Sequence, residues 1–330
     1  MSSTADTPSD SDTSGRVRPW MLVAAAALLI AVLAGPALVV LALQGTEDAV
    51  GEPLKVARLP TDVAVAGDTV WVASGRDNRL VAVDAARTES EPARHDTGSA
   101  PLRVAVAAGS VWTANAGDGS VTRLNPLVPG SVGRRIKVGA DAVDVVVGPD
   151  GAWVSNGQRG TVQRIDPLTN RLLGPPIRTG NFPTALAVGA NYLWVVNSAD
   201  GTVARVDPRE DIVIGRRIPV GRDPQDIAVG FGSVWVANRG DGTITRIDAR
   251  TGRRQGEPIR AGQAPGALAL TRDSVIVLDT ATRDVLSVDP RTGRSRSLHR
   301  LDGFPASIAV GDGAAWVVDA RNGTVTRIAG

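Results

Sequence analysis

Residues 224–248 read PQDIAVGFGSVWVANRGDGTITRID, and the fold can be inferred from this stretch. Its apolar runs are short, and turn residues rich in Gly, Asp and Asn separate them. This turn density, with Val, Ile and Thr in the runs, predicts β-strands and argues against a helical repeat. Together with the residues that follow, the pattern predicts four strands, at 226–229, 233–237, 243–248 and 258–260.

The same unit occurs seven times. One large apolar residue marks the second strand of each unit: Trp71, Trp112, Trp153, Trp194, Trp235, Ile276 and Trp316. A second marker stands eleven residues earlier: Pro60, Pro101, Ala142, Pro183, Pro224, Pro265 and Pro305. Four short strands in about 40 residues is the size of a propeller blade. The chain is therefore predicted to be all-β, a seven-bladed β-propeller of four-stranded blades preceded by one transmembrane α-helix.

The two ends of the repeat region complement each other. The last unit ends at Gly330 after its third predicted strand, 324–328, and so lacks a fourth. Residues 53–57 precede the first unit and match fourth-strand segments such as 217–220. We predict that this strand closes the last blade, which removes an unpaired sheet edge, and that the propeller occupies residues 52–330.

The start of the chain predicts a membrane anchor. Residues 1–19 are mostly small and polar, which predicts a disordered cytoplasmic tail. Residues 20–43 carry no charge and are long enough to cross a bilayer as a helix, followed by a linker at 44–51. Arg16 and Arg18 place the N-terminus in the cytoplasm by the positive-inside rule. A cleaved signal peptide is the alternative; either way the propeller lies outside the cytoplasm.

Composition excludes several kinds of site. The chain has no cysteine, which excludes disulfides and thiolate metal sites, and only two histidines, His95 and His299. The formal net charge is +2, with both signs mixed along the chain and no Lys/Arg-dense stretch. We therefore expect no nucleic-acid partner and no resident cofactor.

Three short strings resemble a known propeller superfamily. They are Trp-Val-Ala-Asn at 235–238, Trp-Val-Val-Asn at 194–197 and Thr-Ile-Thr-Arg-Ile-Asp at 243–248. The repeat resembles the YVTN-type and streptogramin-lyase-like propellers, with Trp where the YVTN name has Tyr. Streptogramin lyases use histidine and acidic residues around magnesium. His95 and His299 fall in predicted outer strands, so no catalytic residue carries over. Similar propellers are outer sensor domains of actinobacterial receptor kinases, but no kinase sequence is present.

Charged residues are predicted at the mouth of the central channel. The loops before the first strands and those between the second and third strands share one face, here called the top face. Two residues after the first marker, four units place a charge there: Asp62, Arg103, Asp144 and Asp226. The three carboxylates could hold a calcium or magnesium ion through oxygen ligands. Alternatively, each aspartate bonds backbone amides at a strand start while Arg103 neutralises a neighbour.

Other residues of the top face are candidates for ligand contacts: Phe182, Phe304, Arg222, Asp223 and Arg239. Two recurring polar sets have structural interpretations instead. Residues that end the second strand are expected to cap turns: Ser74, Asn115, Asn156, Asn197, Asn238, Asp279 and Asp319. Arginines of the third strand are expected to pack between blades: Arg123, Arg164, Arg205, Arg246 and Arg327.

Three functions remain open from the sequence. The first is a non-enzymatic, membrane-anchored binding or scaffold propeller that recognises a protein, peptide or cell-envelope ligand through its top face. The second is a metal-dependent enzyme, lyase-like or hydrolase-like, that uses Asp62, Asp144 and Asp226 at the channel mouth. The third is a mainly structural role in a membrane complex.

Overall fold

A computed structural model describes residues 50–107, 109–126, 133–311 and 313–329. The predicted tail at 1–19, the predicted membrane helix at 20–43 and residues 44–49 of the linker lie outside the described residues. No helix among the residues that are described has the length and apolar character needed to cross a membrane. The described chain forms seven antiparallel sheets, which confirms the prediction of seven four-stranded blades.

The blades are numbered 1 to 7 along the chain. Their first strands are Pro60–Ala66, Pro101–Ala107, Val145–Gly148, Pro183–Gly189, Pro224–Gly230, Pro265–Leu270 and Pro305–Gly311. The second strands are Thr69–Ser74, Ser110–Asn115, Gly151–Asn156, Tyr192–Asn197, Ser233–Asn238, Val275–Asp279 and Ala314–Asp319. The third strands are Arg79–Asp84, Ser120–Leu124, Thr161–Ile165, Thr202–Asp207, Thr243–Asp248, Asp284–Val288 and Thr324–Ala329.

The fourth strands are outermost and more varied. Five of them are Ala93–Asp96, Arg134–Lys137, Leu172–Arg178, Ile259–Arg260 and Ser295–Arg300. In blade 4 two pieces, Ile212–Val213 and Ile218–Pro219, both pair with the third strand. Gly215 lies between these pieces with a φ of 68°, a left-handed conformation that breaks the strand and that glycine adopts at little cost.

Contacts between first strands close the ring. Each first strand contacts the first strand of the next blade, and that of blade 7 contacts that of blade 1. The fourth strand of blade 7 is Leu54–Lys55, which comes from the start of the described chain. Leu54 pairs with Val325, and Lys55 pairs with Thr324. The last blade is therefore built from both ends of the propeller sequence.

The core lies between the blades. Each buried tryptophan, with Ile276 in blade 6, packs against apolar residues of the following blade. Trp71, for example, shares a cluster with Val104 and Val111 of blade 2, and Trp316 of blade 7 shares one with Val63 and Val70 of blade 1. Burying a side chain of this size removes roughly 150–250 Å² from water, so this position contributes strongly to the association of blades.

Candidate functional site

A β-bulge shapes the start of the first strand in six blades. In blade 1, Pro60 faces Ser74 while Asp62 faces Ala73, so one residue of the first strand is unpaired between them. The same register shift follows the marker proline in the other five of these blades. Bulges redirect neighbouring side chains. The residue that follows this bulge is Asp62 in blade 1, Arg103 in blade 2 and Asp226 in blade 5.

The three channel-mouth aspartates bond the next blade. One carboxylate oxygen of each accepts a backbone N–H from the following first strand. Val104 donates to Asp62 at 2.8 Å, Leu186 to Asp144 at 2.7 Å and Leu268 to Asp226 at 2.8 Å. Each bond gives a backbone N–H of one blade an acceptor in the preceding blade, as buried polar groups require. The aspartates therefore join neighbouring blades through backbone amides.

Arg103 lies among these carboxylates. Its Nη1 is 3.5 Å from Oδ1 of Asp62, and the same oxygen accepts a 2.5 Å hydrogen bond from the hydroxyl of Ser307 in blade 7. Burial alone would lower the pKa of Arg103, but the charges of Asp62, Asp226 and Asp144 more than offset it and raise that pKa. The structure thus brings the four predicted residues into one electrostatic cluster.

Burial changes the protonation of two members of the cluster. Only 8% of Asp144 is exposed, and this burial raises its pKa to about 7 against the opposing charge of Arg103 and the bond from Leu186. Burial likewise raises the pKa of Asp226. A carboxyl with a pKa near 7 is partly protonated at neutral pH, which lowers the negative charge that a divalent cation would meet.

The fit of the cluster to a metal ion is poor in two respects. One oxygen of each aspartate already accepts a hydrogen bond from a backbone N–H. The positive charge of Arg103 also offsets the negative charge of the carboxylates, as a bound cation would. Among the described residues, no three His, Asp or Glu side chains are arranged to share a metal. The clearest chemical role of this geometry is to hold the blades together.

The two predicted phenylalanines are exposed on the top face. Phe182 is 45% exposed and Phe304 is 52% exposed, and each directly precedes a marker proline. Leu59 occupies the same repeat position in blade 1 and is 48% exposed. The guanidinium of Arg321 lies 4.7 Å from the centre of the Phe304 ring. These loops therefore present large apolar side chains to solvent.

The predicted charged top-loop residues form ion pairs within blade 5. Arg222 contacts Asp241 at 2.5 Å, and Arg239 contacts Asp223 at 2.7 Å. Asp241 also accepts the backbone N–H of Arg222 at 2.6 Å, which ties the two loops of the top face together. Asp77 and Asp200 bind the N–H of Arg58 and Asn181 in the same way. This recurring role of the turn aspartates was not predicted from the sequence.

Residues that end the second strand are buried, and several of them bond the adjoining loops or turns. Asn238, for example, donates to Thr243 and Thr245 and accepts the N–H of Gly221. A Cβ on Gly221 would lie 2.6 Å from the Cγ of Asn238, so this position requires glycine. The same contact recurs between Gly180 and Asn197. These residues fix the top-face turns.

Third-strand arginines form hydrogen bonds between blades near the opposite face of the propeller, here called the bottom face. Arg164 stacks 5.6 Å from the ring of Trp153 and donates to the carbonyl of Pro208 in the next blade at 2.8 Å. Arg123 and Arg205 reach the next blade in the same manner, at Pro167 and Arg250. These arginines therefore join blades 2 and 3, blades 3 and 4, and blades 4 and 5 near the bottom face.

The two histidines lie in the fourth strands of blades 1 and 6, respectively. The ring of His95 is 5.7 Å from that of Trp71. His299 is buried within its blade. Burial lowers the pKa of each imidazole. Neither histidine belongs to the cluster at the channel mouth.

Comparisons with known proteins agree with the geometry. No protein-family model matches the sequence, and no curated protein matches it. Among solved structures, virginiamycin B lyase from Staphylococcus aureus matches with a TM-score of 0.72 at 12% identity, over 84% of this chain and 97% of that one. Hydrazine synthase from Kuenenia stuttgartiensis matches with a TM-score of 0.71 at 16% identity, over 88% and 99%.

A computationally designed protein, Ika8, matches with a TM-score of 0.58 at 16% identity, over 87% of this chain and 99% of that one. At identities this low, structural similarity establishes the fold and leaves the activity open. The resemblance drawn from the repeat strings is confirmed at the level of the fold: the described chain is a seven-bladed β-propeller whose fold is similar to that of streptogramin B lyases.

Proposed function

We propose that this protein is a non-enzymatic binding module, anchored in the cell membrane by residues 20–43, with its propeller outside the cytoplasm. Its top face binds a protein, peptide or cell-envelope ligand. One observation carries the proposal: the loops before the first strands hold Leu59, Phe182 and Phe304 in solvent. The polar residues at the channel mouth, in contrast, are engaged in bonds between blades.

The backbone at these loops supports a binding role. Leu59 and Phe182 each have a φ of 54°, a conformation that costs a non-glycine residue on the order of 1 kcal/mol. Their carbonyls accept 3.1 Å hydrogen bonds from the N–H groups of Gly75 and Ser198, so the loops are fixed. Glycine or asparagine would make the same turns at lower cost. We therefore assign the large apolar side chains of Leu59 and Phe182 to contacts with the ligand.

Capture of the ligand by the full-length chain tests the proposal. The chain is cross-linked in intact cells, purified from solubilised membranes and compared with variants of the top face. Phe182→Ser and Phe304→Ser remove exposed apolar groups, while Arg239→Ala and Asp223→Ala break an exposed ion pair. The matched control is Leu168→Ser, which changes an 89% exposed residue in the loop between the third and fourth strands of blade 3, on the bottom face.

We expect the top-face variants to lose the captured ligand and the control to keep it. A ligand that survives every top-face change would show that this face is not the binding surface. Protease accessibility in intact cells tests the orientation separately. A tag after residue 330 should be cleaved from outside the cell, and a tag before residue 1 should be protected.

A metal-dependent enzyme is the second candidate, because three carboxylates do converge at the channel mouth with Arg103. Elemental analysis and calcium or magnesium titration of the purified chain separate the candidates. Stoichiometric metal that is lost in Asp144→Asn and Asp226→Asn would favour the enzyme. Metal content below stoichiometry in every sample would favour the binding module.

A further inference from the structure

A cavity of about 310 Å³ opens on the top face where blade 7 meets blade 1. We call it the seam pocket. Its basic lining consists of Lys55, Arg58, Arg76 and Arg321, and Leu59 and Ala320 contribute apolar surface. Its volume falls at the lower end of the range for ligand sites, about 300–1,000 Å³. None of the residues that line it is acidic.

Of the four basic residues that line the seam pocket, only Arg58 is paired with a carboxylate of the described chain. Arg58 is paired with Asp77 at 2.6 Å. Lys55 donates to the carbonyl of Asn322 at 2.6 Å, and Arg321 stacks on Phe304. Neither of these two residues, nor the exposed Arg76, has a carboxylate partner among the described residues. Three cations therefore converge on one cavity.

The walls of the seam pocket are fixed before any ligand arrives. The carbonyl of Arg58 accepts a hydrogen bond from the hydroxyl of Ser74 at 2.8 Å, and the carbonyl of Leu59 accepts one from Gly75. On the other side, the backbone N–H of Arg321 donates to Asp319 at 2.9 Å. A preformed site loses less conformational entropy on binding than a mobile one.

A second cavity, of about 380 Å³, continues the basic surface along blade 1. It is lined by Arg58, Asp77, Arg79, Val81 and Arg94, so the two cavities share Arg58. Arg79 and Arg94 form only looser exposed pairs, at 3.4 Å with Asp96 and 3.7 Å with Glu91. Such pairs contribute little and exchange readily with a ligand carboxylate.

We infer that the seam pocket binds an acidic peptide segment in which carboxylates alternate with apolar side chains. Guanidinium groups bind carboxylates through paired N–H donors, and Leu59 and Phe304 offer apolar contacts beside them. A polyphosphate supplies negative charge but has no apolar groups that could contact Leu59 and Phe304. This inference rests on the proposed function, of which it names the partner chemistry and the part of the top face involved.

Fluorescence anisotropy with the purified full-length chain in mild detergent tests the inference. The probe is a labelled short peptide in which Glu alternates with Leu. One comparison peptide replaces each Glu with Gln, and another replaces each Leu with Ser. Inorganic polyphosphate and a single-stranded DNA oligonucleotide serve as competitors. The decisive variant is R76Q/R321Q. Its matched control is R159Q, an exposed arginine in the corresponding top-face turn of blade 3.

We expect tight, salt-sensitive binding of the Glu–Leu peptide, at least tenfold weaker binding by R76Q/R321Q, and unchanged binding by R159Q. Both comparison peptides should bind more weakly. All variants should keep the wild-type melting temperature, because the changed side chains are exposed. Equal binding by R76Q/R321Q, or displacement by DNA or polyphosphate at lower concentration than by peptide, would overturn the inference. If the ligand captured from cells is lost in the Phe182 and Phe304 variants but kept in R76Q/R321Q, the seam pocket is wrong and the binding function stands.

Discussion

The carboxylate of Asp62 accepts a hydrogen bond at 2.8 Å from the backbone N–H of Val104, which lies in the first strand of the next blade. Equivalent bonds join Asp144 to Leu186 and Asp226 to Leu268. Third-strand arginines make the corresponding bonds near the bottom face. Blades 3 and 4 have bonds of both kinds, from Leu186 to Asp144 near the top face and from Arg164 to Pro208 near the bottom face, while the tryptophans fill the space between blades.

Replacement of Asp62 tests the top-face bonds. In Asp62→Ala, the N–H of Val104 loses its acceptor, and Arg103 and Ser307 lose a shared partner. Leaving such groups buried without partners costs about 3 kcal/mol or more. We expect the free energy of unfolding, measured by urea denaturation, to fall by that amount.

Asp223→Ala is the control for this measurement, because Asp223 forms an exposed pair with Arg239. Its effect should stay within about 1 kcal/mol. Equal losses in Asp62→Ala and Asp223→Ala would contradict the role assigned to the channel-mouth aspartates.

Asp144→Asn should change how stability depends on pH. Burial raises the pKa of Asp144 to about 7 in the folded protein, well above its ordinary value of 3.8. The folded state therefore holds this proton more tightly than the unfolded chain does. It follows that the free energy of unfolding decreases as the pH rises from about 4 to about 7. Asparagine does not ionise, and its amide oxygen can still accept the N–H of Leu186, while its NH2 group replaces the oxygen that accepts the N–H of Val145.

We expect Asp144→Asn to be more stable than the wild type at pH 8, by about 2 kcal/mol or more, and to differ much less at pH 4.5. Urea denaturation at the two pH values checks this expectation. A difference between the two proteins that is the same at both pH values would show that Asp144 does not titrate in this range.

Arg164→Met tests the bottom-face bonds. The change removes the stacking on Trp153 and the donor to Pro208 but keeps an apolar stem. We expect a loss of about 1–2 kcal/mol in the free energy of unfolding. Arg327→Met is the matched control: Arg327 pairs with Trp316 in the same register of blade 7, but its side chain forms no ion pair or stacking contact among the described residues. Equal losses in both variants would argue against these bonds.

Deletion of residues 52–59 tests ring closure. It removes the fourth strand of blade 7 and takes Val56 out of a core cluster that joins blades 7 and 1. We expect the melting temperature, measured by calorimetry, to fall by many degrees, because the third strand of blade 7 becomes an open edge. An unchanged melt would show that this strand is dispensable.

The sequence predicts the fold well because the repeat reports the same structure seven times. In blade 5 the predicted strands at 226–229, 233–237 and 243–248 correspond to Pro224–Gly230, Ser233–Asn238 and Thr243–Asp248. The bulge after the marker proline was not predicted, because it lies ahead of the alternating apolar residues: in blade 1 the register shifts between Pro60 and Asp62, before Val63. The division of the fourth strand of blade 4 was not predicted either, because Ile212 and Ile218 both suit the apolar pattern of a single strand.

The candidate site was harder to predict. The structure places Asp62, Asp144 and Asp226 within electrostatic reach of Arg103, but repeat position does not indicate what a carboxylate bonds. The seam pocket left a signal that repeat alignment could have revealed. Arg76 and Arg321 stand at the same repeat position, sixteen residues after Pro60 and Pro305, and only ring closure makes their two units neighbours. The other cations of the seam pocket, Lys55 and Arg58, stand at repeat positions different from that of Arg76 and Arg321.

Because one blade holds both ends of the propeller sequence, the described chain begins and ends on the same sheet. Besides the pairs formed by Leu54 and Lys55, Val50 forms a bridge to Ile328, Gly51 donates its N–H to the carbonyl of Arg327 at 2.7 Å, and Val56 and Ala57 donate to the carbonyl of Gly323. Any pull on the chain ahead of Val50 is therefore borne first by this short ladder, before it reaches the six other blades. Mechanical load at that end would peel the outermost strand and leave Thr324–Ala329 free to accept a replacement strand from another chain.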